Sequence, residues 1–130
     1  MVMLRRYTLR IIFMAALLAG FVFSSTIQAQ TSLAQEHFER AVGYHLSGNN
    51  EAAIKAFRES LLYNKKDATT HFYMSLVYDV MHMGVNAIKH MLKAEKYFEA
   101  EGRDYWKDRS RQGVEDYYHL YKYEKEDFEK

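Results

Sequence analysis

The chain repeats itself with a period of 34 residues. When residues 34–67 are laid over residues 68–101 without a gap, eight positions are identical. The identical pairs are Ala34 with Ala68, His37 with His71, Phe38 with Phe72, Tyr44 with Tyr78, Ala53 with Ala87, Ile54 with Ile88, Lys55 with Lys89, and Tyr63 with Tyr97. A repeat of this length is a supersecondary unit that buries its apolar face only against a neighbouring unit. The sequence therefore predicts two stacked units, 34–67 and 68–101, followed by a third segment, 102–130.

Nothing in the composition interrupts a helix for long. The 130 residues include no proline, and alanine, glutamate, lysine, leucine and methionine are abundant. A chain of this length that is 48% hydrophobic is suited to one small domain with a real core. We therefore expect an all-α fold of five helices, arranged as two pairs and a C-terminal helix.

Capping and turn residues predict where the helices begin and end. The expected starts are marked by a capping box of Ser32 with Gln35 for the first helix, by Asn50 for the second, and by Asp67 for the third. The expected ends are marked by Gly48, Tyr63, Gly84 and Gly102. Each unit is thus predicted to be a helix, a short turn and a second helix.

Small and aromatic residues recur at matching positions of the two units. In the first unit these positions hold Ala41, Tyr44, Ala53, Phe57 and Ser60, and in the second they hold Ser75, Tyr78, Ala87, Met91 and Ala94. Small side chains let two helices approach closely, and the larger side chains fill the space between them. We therefore expect both tyrosines, Phe57 and Met91 to pack inside their units.

This pattern resembles the tetratricopeptide repeat family, which has a small residue and a tyrosine in the first helix and an alanine, an aromatic and a small residue in the second. The chain departs from the family pattern at three kinds of position: His37 and His71 replace tryptophan, Arg40 and Met74 replace leucine, and Lys65 and Glu99 replace proline. The resemblance implies a short α-solenoid with two tetratricopeptide-like helix-turn-helix units.

The third segment begins like a unit and then changes. Tyr105 and Trp106 follow at the same spacing, but the later family positions are not matched. Instead, an apolar stripe runs along a charged helix at Val114, Tyr117, Tyr121 and Phe128. A terminal unit needs one apolar face and one solvated face, so we expect a C-terminal capping helix. An exposed aromatic strip that contacts a partner is the alternative interpretation.

The resemblance also implies a function. In this family, first-helix side chains line a concave groove that holds a peptide or a segment of another protein. The corresponding positions form the set that we call the first-helix face: Phe38, Val42, His45, Phe72, Leu76 and Asp79. Such an apolar face favours recognition of a helix or an aromatic anchor. The alternatives are that Phe38 and Phe72 pack on the C-terminal helix, or that the surface forms a homo-oligomer.

A metal-binding function is the alternative from another class. Thioether and imidazole groups suit Cu(I), and they cluster in the sequence at Met81, His82, Met83 and His90. Met91, however, stands where the repeat needs a core residue, and consecutive side chains point in different directions around a helix. We therefore rank this copper-type hypothesis below protein binding.

Other function classes lack a sequence signal. The chain contains no glycine-rich phosphate loop, no His-Glu zinc helix, no nucleophile elbow and no cysteine. The formal net charge is +1, with both signs mixed, so the composition does not indicate nucleic-acid binding. We expect no catalytic activity, no cofactor and no nucleic-acid partner.

The N-terminus has the three parts of a secretory signal peptide. Arg5, Arg6 and Arg10 precede the apolar run Ile11–Phe23, and a polar stretch leads to the small residue Ala29. An uncleaved membrane anchor is the alternative, but thirteen helical residues span about 20 Å of a hydrocarbon core roughly 30 Å thick. We predict cleavage after Ala29 and a periplasmic or secreted domain of residues 30–130, with a membrane association only if the segment is retained.

Overall fold

The computed structural model describes residues 26–129, and in this part the chain folds into helices without a strand. Residues 26–46 are helical and form α1. The later helices are α2 (Asn50–Tyr63), α3 (Ala68–Val80), α4 (Gly84–Ala100) and α5 (Asp104–Tyr121), followed by a short 3-10 helix at Lys125–Asp127. The all-α prediction of two helix pairs and a C-terminal helix is confirmed.

Successive helices run in opposite directions, so α1, α3 and α5 point the same way. Near the C-terminal ends of α3 and α5, the Tyr121 hydroxyl donates a hydrogen bond to Asp79 Oδ1 at 2.7 Å. Near their N-terminal ends, the Phe72 and Trp106 rings contact each other with centroids 5.6 Å apart. The described chain is therefore a short solenoid in which α5 packs on the second pair and caps it.

Small residues mark the closest approach within each pair, as predicted. In the first pair, Ser60 Oγ of α2 donates to the carbonyl oxygen of Ala34 in α1 at 2.8 Å. In the second pair, Ser75 Oγ of α3 donates to the carbonyl oxygen of Ala87 in α4 at 2.7 Å. Side chains larger than these would separate the helices and break the two hydrogen bonds.

One apolar core connects the two pairs and α5. Its fully or nearly fully buried members are Ala41, Ala53, Ile54, Ala56 and Phe57 from the first pair, Met74, Val77, Tyr78, Ala87, Ile88 and Met91 from the second, and Val114, Tyr117 and Tyr118 from α5. Phe57 and Met91 lie inside as expected. The predicted stripe of α5 is also directed inward, but Phe128 lies beyond the helix and reaches the core from the segment after the 3-10 helix.

Two predicted helix starts are wrong. Ser32 does not open α1, because the chain is already helical from residue 26. Asn49, rather than Asn50, caps α2, and its side chain accepts a hydrogen bond from the backbone N–H of Ala52 at 3.2 Å. The prediction for α3 is confirmed, since Asp67 accepts from two backbone N–H groups of the first turn.

The glycines that end helices are Gly48 and Gly102, which have φ angles of 81° and 67°. Gly84 does not end a helix as predicted; it begins α4, while His82 takes the left-handed conformation in the preceding turn with φ 57°. Gly84 is needed for close packing instead. A Cβ at this position would overlap the Tyr121 ring.

Tyr44 differs from the expectation that it packs inside its unit, because its side chain is 39% exposed. Its counterpart Tyr78 is 3% exposed and contacts the preceding pair through Arg58 of α2. In the described residues no helix pair precedes α1, so nothing corresponding covers Tyr44. Burial of this tyrosine position thus depends on the neighbouring unit.

The charged and apolar parts of the predicted signal segment lie outside the described residues. Ala29 lies in α1, where it is exposed, and cleavage after it stays a prediction. Within residues 26–129, no helix is both long and apolar enough to cross a membrane.

Candidate functional site

An aromatic row joins the two pairs on the first-helix face. Tyr73 of α3 lies between Phe38 of α1 and Phe72 of α3, with ring centroids 5.4 Å from the first and 6.2 Å from the second. All three side chains are half-buried. The three rings of the row are therefore held in position by their mutual contacts, and each remains partly exposed.

The core beneath holds the first ring of this row in place. Phe57 is fully buried, and its ring centroid lies 5.6 Å from that of Phe38 and 6.4 Å from that of Tyr73. Aromatic side chains have few rotatable bonds, so rings that pack on a buried ring lose little further freedom when they bind a ligand. Phe38 can thus act as a preorganised contact.

The remaining apolar members of the first-helix face are also half-buried. Val42 and Leu76 pack against the core cluster while keeping part of their side chains exposed. His45 is held by a hydrogen bond between its Nδ1 and Asn50 Oδ1 at 2.9 Å. Phe38, Val42 and His45 follow one another at helical spacing and so share one side of α1.

Two members of the first-helix face are engaged by α5. Phe72 contacts Trp106 of α5 at a centroid distance of 5.6 Å, and it also contacts Phe98 of α4 at 6.3 Å. Asp79 accepts the hydrogen bond from the Tyr121 hydroxyl, and burial together with this bond raises the pKa of Tyr121 to about 12. The interpretation that this face packs on the C-terminal helix thus applies to Phe72 and Asp79, whereas Phe38 contacts Phe57 and Tyr73.

Tyr73 is the member of the row that sequence reasoning missed. In the gapless alignment it stands against Glu39, so the repeat contains no signal for an aromatic at this position. The spacing within α3 offered a weaker hint, since Tyr73 directly follows the recurring Phe72. Only the packing of α1 against α3 places Tyr73 between the two units.

The four residues of the metal hypothesis are divided between two places. Met81, His82 and Met83 form the turn between α3 and α4. His90 lies seven residues after Met83, about 10 Å along the helix axis. Its ring contacts His71 and Tyr78, with centroids 5.1 Å and 5.4 Å away. Residues 26–129 contain no group of three or more histidine, cysteine, aspartate or glutamate side chains placed to hold a metal ion.

Comparison with known proteins assigns no family to this chain. No family model matches the chain, and no curated protein matches its sequence. Among solved structures, the chain is similar to one described as "Crystal structure of MamA protein", with 17% sequence identity and a TM-score of 0.48, over 82% of this chain and 68% of that chain. A likeness of this size carries no argument about family or function.

Proposed function

We propose that this protein is a binding scaffold that holds a segment of another protein, or a peptide, along the first-helix face and performs no catalysis. The observation that carries this proposal is the row of Phe38, Tyr73 and Phe72, three partly exposed rings held at fixed spacing across two parallel helices. Partly buried aromatic side chains near the centre of a contact dominate the energy of many protein interfaces.

The contacts of α5 define which part of the face a partner reaches. Phe72 and Asp79 are partly used inside the molecule, so the proposed contact area is centred on Phe38, Tyr73 and Leu76. Asp79 is the one residue of the first-helix face that carries a fixed charge, and its carboxylate is hydrogen-bonded. An apolar segment therefore fits this surface better than an acidic tail.

We also propose that the chain belongs to the tetratricopeptide repeat family and acts outside the cytoplasm. The 34-residue period and its recurring small and aromatic positions support the family assignment. The arginines followed by the run Ile11–Phe23 support export, with residues 30–130 as the mature domain. Mass spectrometry of the protein isolated from its own cells should find an N-terminus at Gln30, and a retained N-terminal segment would contradict the export proposal.

Photo-crosslinking in the protein's own cells tests the binding function. A benzophenone amino acid placed at His45 or at Leu76 should form a covalent adduct with a partner chain, identified by mass spectrometry. The matched control is Leu62 of α2, which is 73% exposed and lies outside the first-helix face. We expect no such adduct from the control position.

A substitution separates true binding from chance contact. Phe38→Ala should reduce the adduct at Leu76 at least about tenfold, since losing a central aromatic anchor typically costs about 2 kcal/mol or more of binding energy, and about 1.4 kcal/mol is already tenfold. Leu62→Ala should leave it unchanged. Equal adducts from His45, Leu76 and Leu62 would refute the assignment of the face, and adducts only with a second copy of the chain would make the face a self-association surface.

A further inference from the structure

A pair of imidazoles, one buried and one half-buried, connects α3 to α4. The Nδ1 atoms of His71 and His90 lie 2.9 Å apart, and His71 Nε2 lies 3.2 Å from the carbonyl oxygen of Lys65. A carbonyl oxygen only accepts, so His71 carries its proton on Nε2 and offers the Nδ1 lone pair. His90 then donates its Nδ1–H to His71. This arrangement requires a neutral His71, because a proton on its Nδ1 would remove the lone pair that accepts the bond.

The pair links three parts of the second unit. His71 belongs to α3 and is 3% exposed, His90 belongs to α4, and the Lys65 carbonyl belongs to the turn between α2 and α3. Tyr97 packs on His71 and Tyr78 packs on His90, each with centroids 5.4 Å apart. Opening the pair would therefore loosen α3 from α4 and from the turn that precedes it.

The charged groups around the pair are mostly cationic. Arg58 of α2 and Lys93 of α4 act on it as positive charges, and Asp67 at the start of α3 is the anion that acts on His71. The Asp67 side chain is already engaged as the N-cap of α3, where it accepts hydrogen bonds from two backbone N–H groups. An added proton would thus meet two nearby cations and a single anion that has other partners.

Burial and these charges oppose protonation of both rings. Burial, followed by repulsion from His71, Lys93 and Arg58, lowers the pKa of His90 to about 4. Burial is also the largest cause that lowers the pKa of His71. Tyr78 and Tyr97 face the pair with their aromatic rings. At neutral pH the pair is therefore uncharged and its hydrogen bond intact.

The first unit places the corresponding histidine in a different environment. His37 Nδ1 lies 3.0 Å from the carboxylate of Glu59, and the side chain is 16% exposed. Position 59 corresponds to Lys93 in the second unit, and Ala56 stands where the second unit has His90. The first unit thus places a carboxylate and the Arg40 guanidinium beside His37, while the second places Lys93 and another imidazole beside His71.

We propose that His71 and His90 form an acid-operated latch for the second helix pair. At neutral pH the latch holds α3, α4 and the α2–α3 turn together. When both rings take up protons, each Nδ1 carries a hydrogen, the bond between them is lost and two positive charges face each other. The second pair then loosens while the first pair stays closed.

The direction of the pH effect follows from proton linkage. The pKa of His90 in the closed form, about 4, lies below its ordinary value of 6.5. Between these values the open form binds more protons than the closed form, so lowering the pH favours opening by up to about tenfold per pH unit for each proton taken up. Above pH 6.5 this latch is fully closed.

Acid opening has a consequence for binding that rests on the proposed function. Phe72, Leu76 and Asp79 all lie on α3, so loosening α3 disturbs half of the first-helix face. A bound segment would then be released in acid. The latch itself does not depend on a partner, and it is tested on the chain alone.

Hydrogen exchange of the full chain, measured by mass spectrometry at pH 7.0 and pH 5.0, tests the latch. After correction for the intrinsic pH dependence of exchange, peptides from α3 and α4 should exchange about tenfold faster at pH 5.0, while peptides from α2 should change little. The double variant His71→Phe/His90→Ala, which takes its alanine from the first unit, should lose this difference. The matched control His37→Phe should keep it.

Nitrogen NMR of the histidine rings provides a measurement without substitutions, should the double variant fail to fold. At pH 7.0 we expect His71 to carry its single ring proton on Nε2 and His90 to carry its single ring proton on Nδ1. At pH 6 we expect neither ring to have taken up a second proton. Rings that titrate near 6.5 in the folded chain would overturn the proposal. If acid accelerated hydrogen exchange equally in both helix pairs, the proposal would be overturned as well.

Discussion

The two helix pairs place identical residues in different surroundings. Tyr44 of the first pair is 39% exposed, whereas Tyr78 at the matching position of the second is 3% exposed. Tyr78 is covered by the pair before it, since Arg58 Nη2 donates to its hydroxyl at 3.0 Å. The difference teaches that a side chain's burial in a solenoid is determined largely by the adjacent unit and not by its own.

Truncating the two tyrosines should break the symmetry of the repeat most strongly. Tyr78→Ala removes a buried ring from the shared core and should lower the free energy of unfolding by about 3 kcal/mol. Tyr44→Ala removes a partly exposed ring and should cost less than about 1 kcal/mol. Urea unfolding followed by circular dichroism measures both. Similar losses for the two variants would contradict the role of the neighbouring unit.

The first residue of the second helix in each pair gives the next contrast. Gly84→Ala would push the Tyr121 ring away from α4 and should cost about 1 to 3 kcal/mol by overpacking. Asn50→Ala, at the matching position of the first pair, removes the hydrogen bond to His45 and should cost about 1 kcal/mol. Thermal unfolding compares them. If Gly84→Ala were neutral, Tyr121 would not be held where α5 meets α4.

The N-cap residues of α2 and α4 can be exchanged with each other by substitution. Asn49 and Met83 occupy matching positions with similar backbone angles, but only Asn49 makes a side-chain capping bond. Met83→Asn should stabilise the chain by about 0.5 to 1 kcal/mol, and Asn49→Met should destabilise it by about 1 kcal/mol. Urea midpoints of the two variants measure the effects. A loss of stability in Met83→Asn would show that the Met83 side chain has a packing role of its own.

The smallest expected difference in stability concerns the position near the C-terminal end of the second helix of each pair, where that helix approaches the first. Ser60 Oγ donates to the Ala34 carbonyl, while the second pair has Ala94 at this position. Ser60→Ala should cost about 0.5 to 1 kcal/mol, the usual net value of one hydrogen bond. Ala94→Ser, the reverse exchange, should change stability by no more than that. A cost above about 2 kcal/mol for Ser60→Ala would mean that the bond positions α1 as a whole.

Sequence reasoning was accurate at most positions that recur in the repeat, with Tyr44 as an exception. The recurring positions Ala53, Phe57 and Met91 are buried as predicted, and the helices fall in the predicted order. It was wrong at the start of α2, because Asn49 and Asn50 are both suitable caps and their sequence does not distinguish them. Local capping preferences are similar for neighbouring residues, and only the backbone path selects between them.

The candidate site was harder to predict than the fold. The alignment marked Phe38 and Phe72 but not Tyr73, which lies between them. His90 has no histidine at its matching position, and its sequence neighbours suggested a metal cluster with the turn before α4 instead of a pair with His71. His71 and His90 are 19 positions apart on different helices, so an alignment with a period of 34 residues does not reveal their contact.

The sequence by itself determined the helical class, the period and the small and large residues of the core, because helix propensity and hydrophobic spacing act locally along the chain. Only the tertiary structure decided which repeated side chains are covered. The Tyr44 side chain is exposed and the Tyr78 side chain is buried. The Asp79 carboxylate accepts a hydrogen bond from Tyr121 of α5. The physical reason is that burial and charge pairing depend on groups brought from distant parts of the chain, and matching residues of a repeat have different neighbours at its two ends.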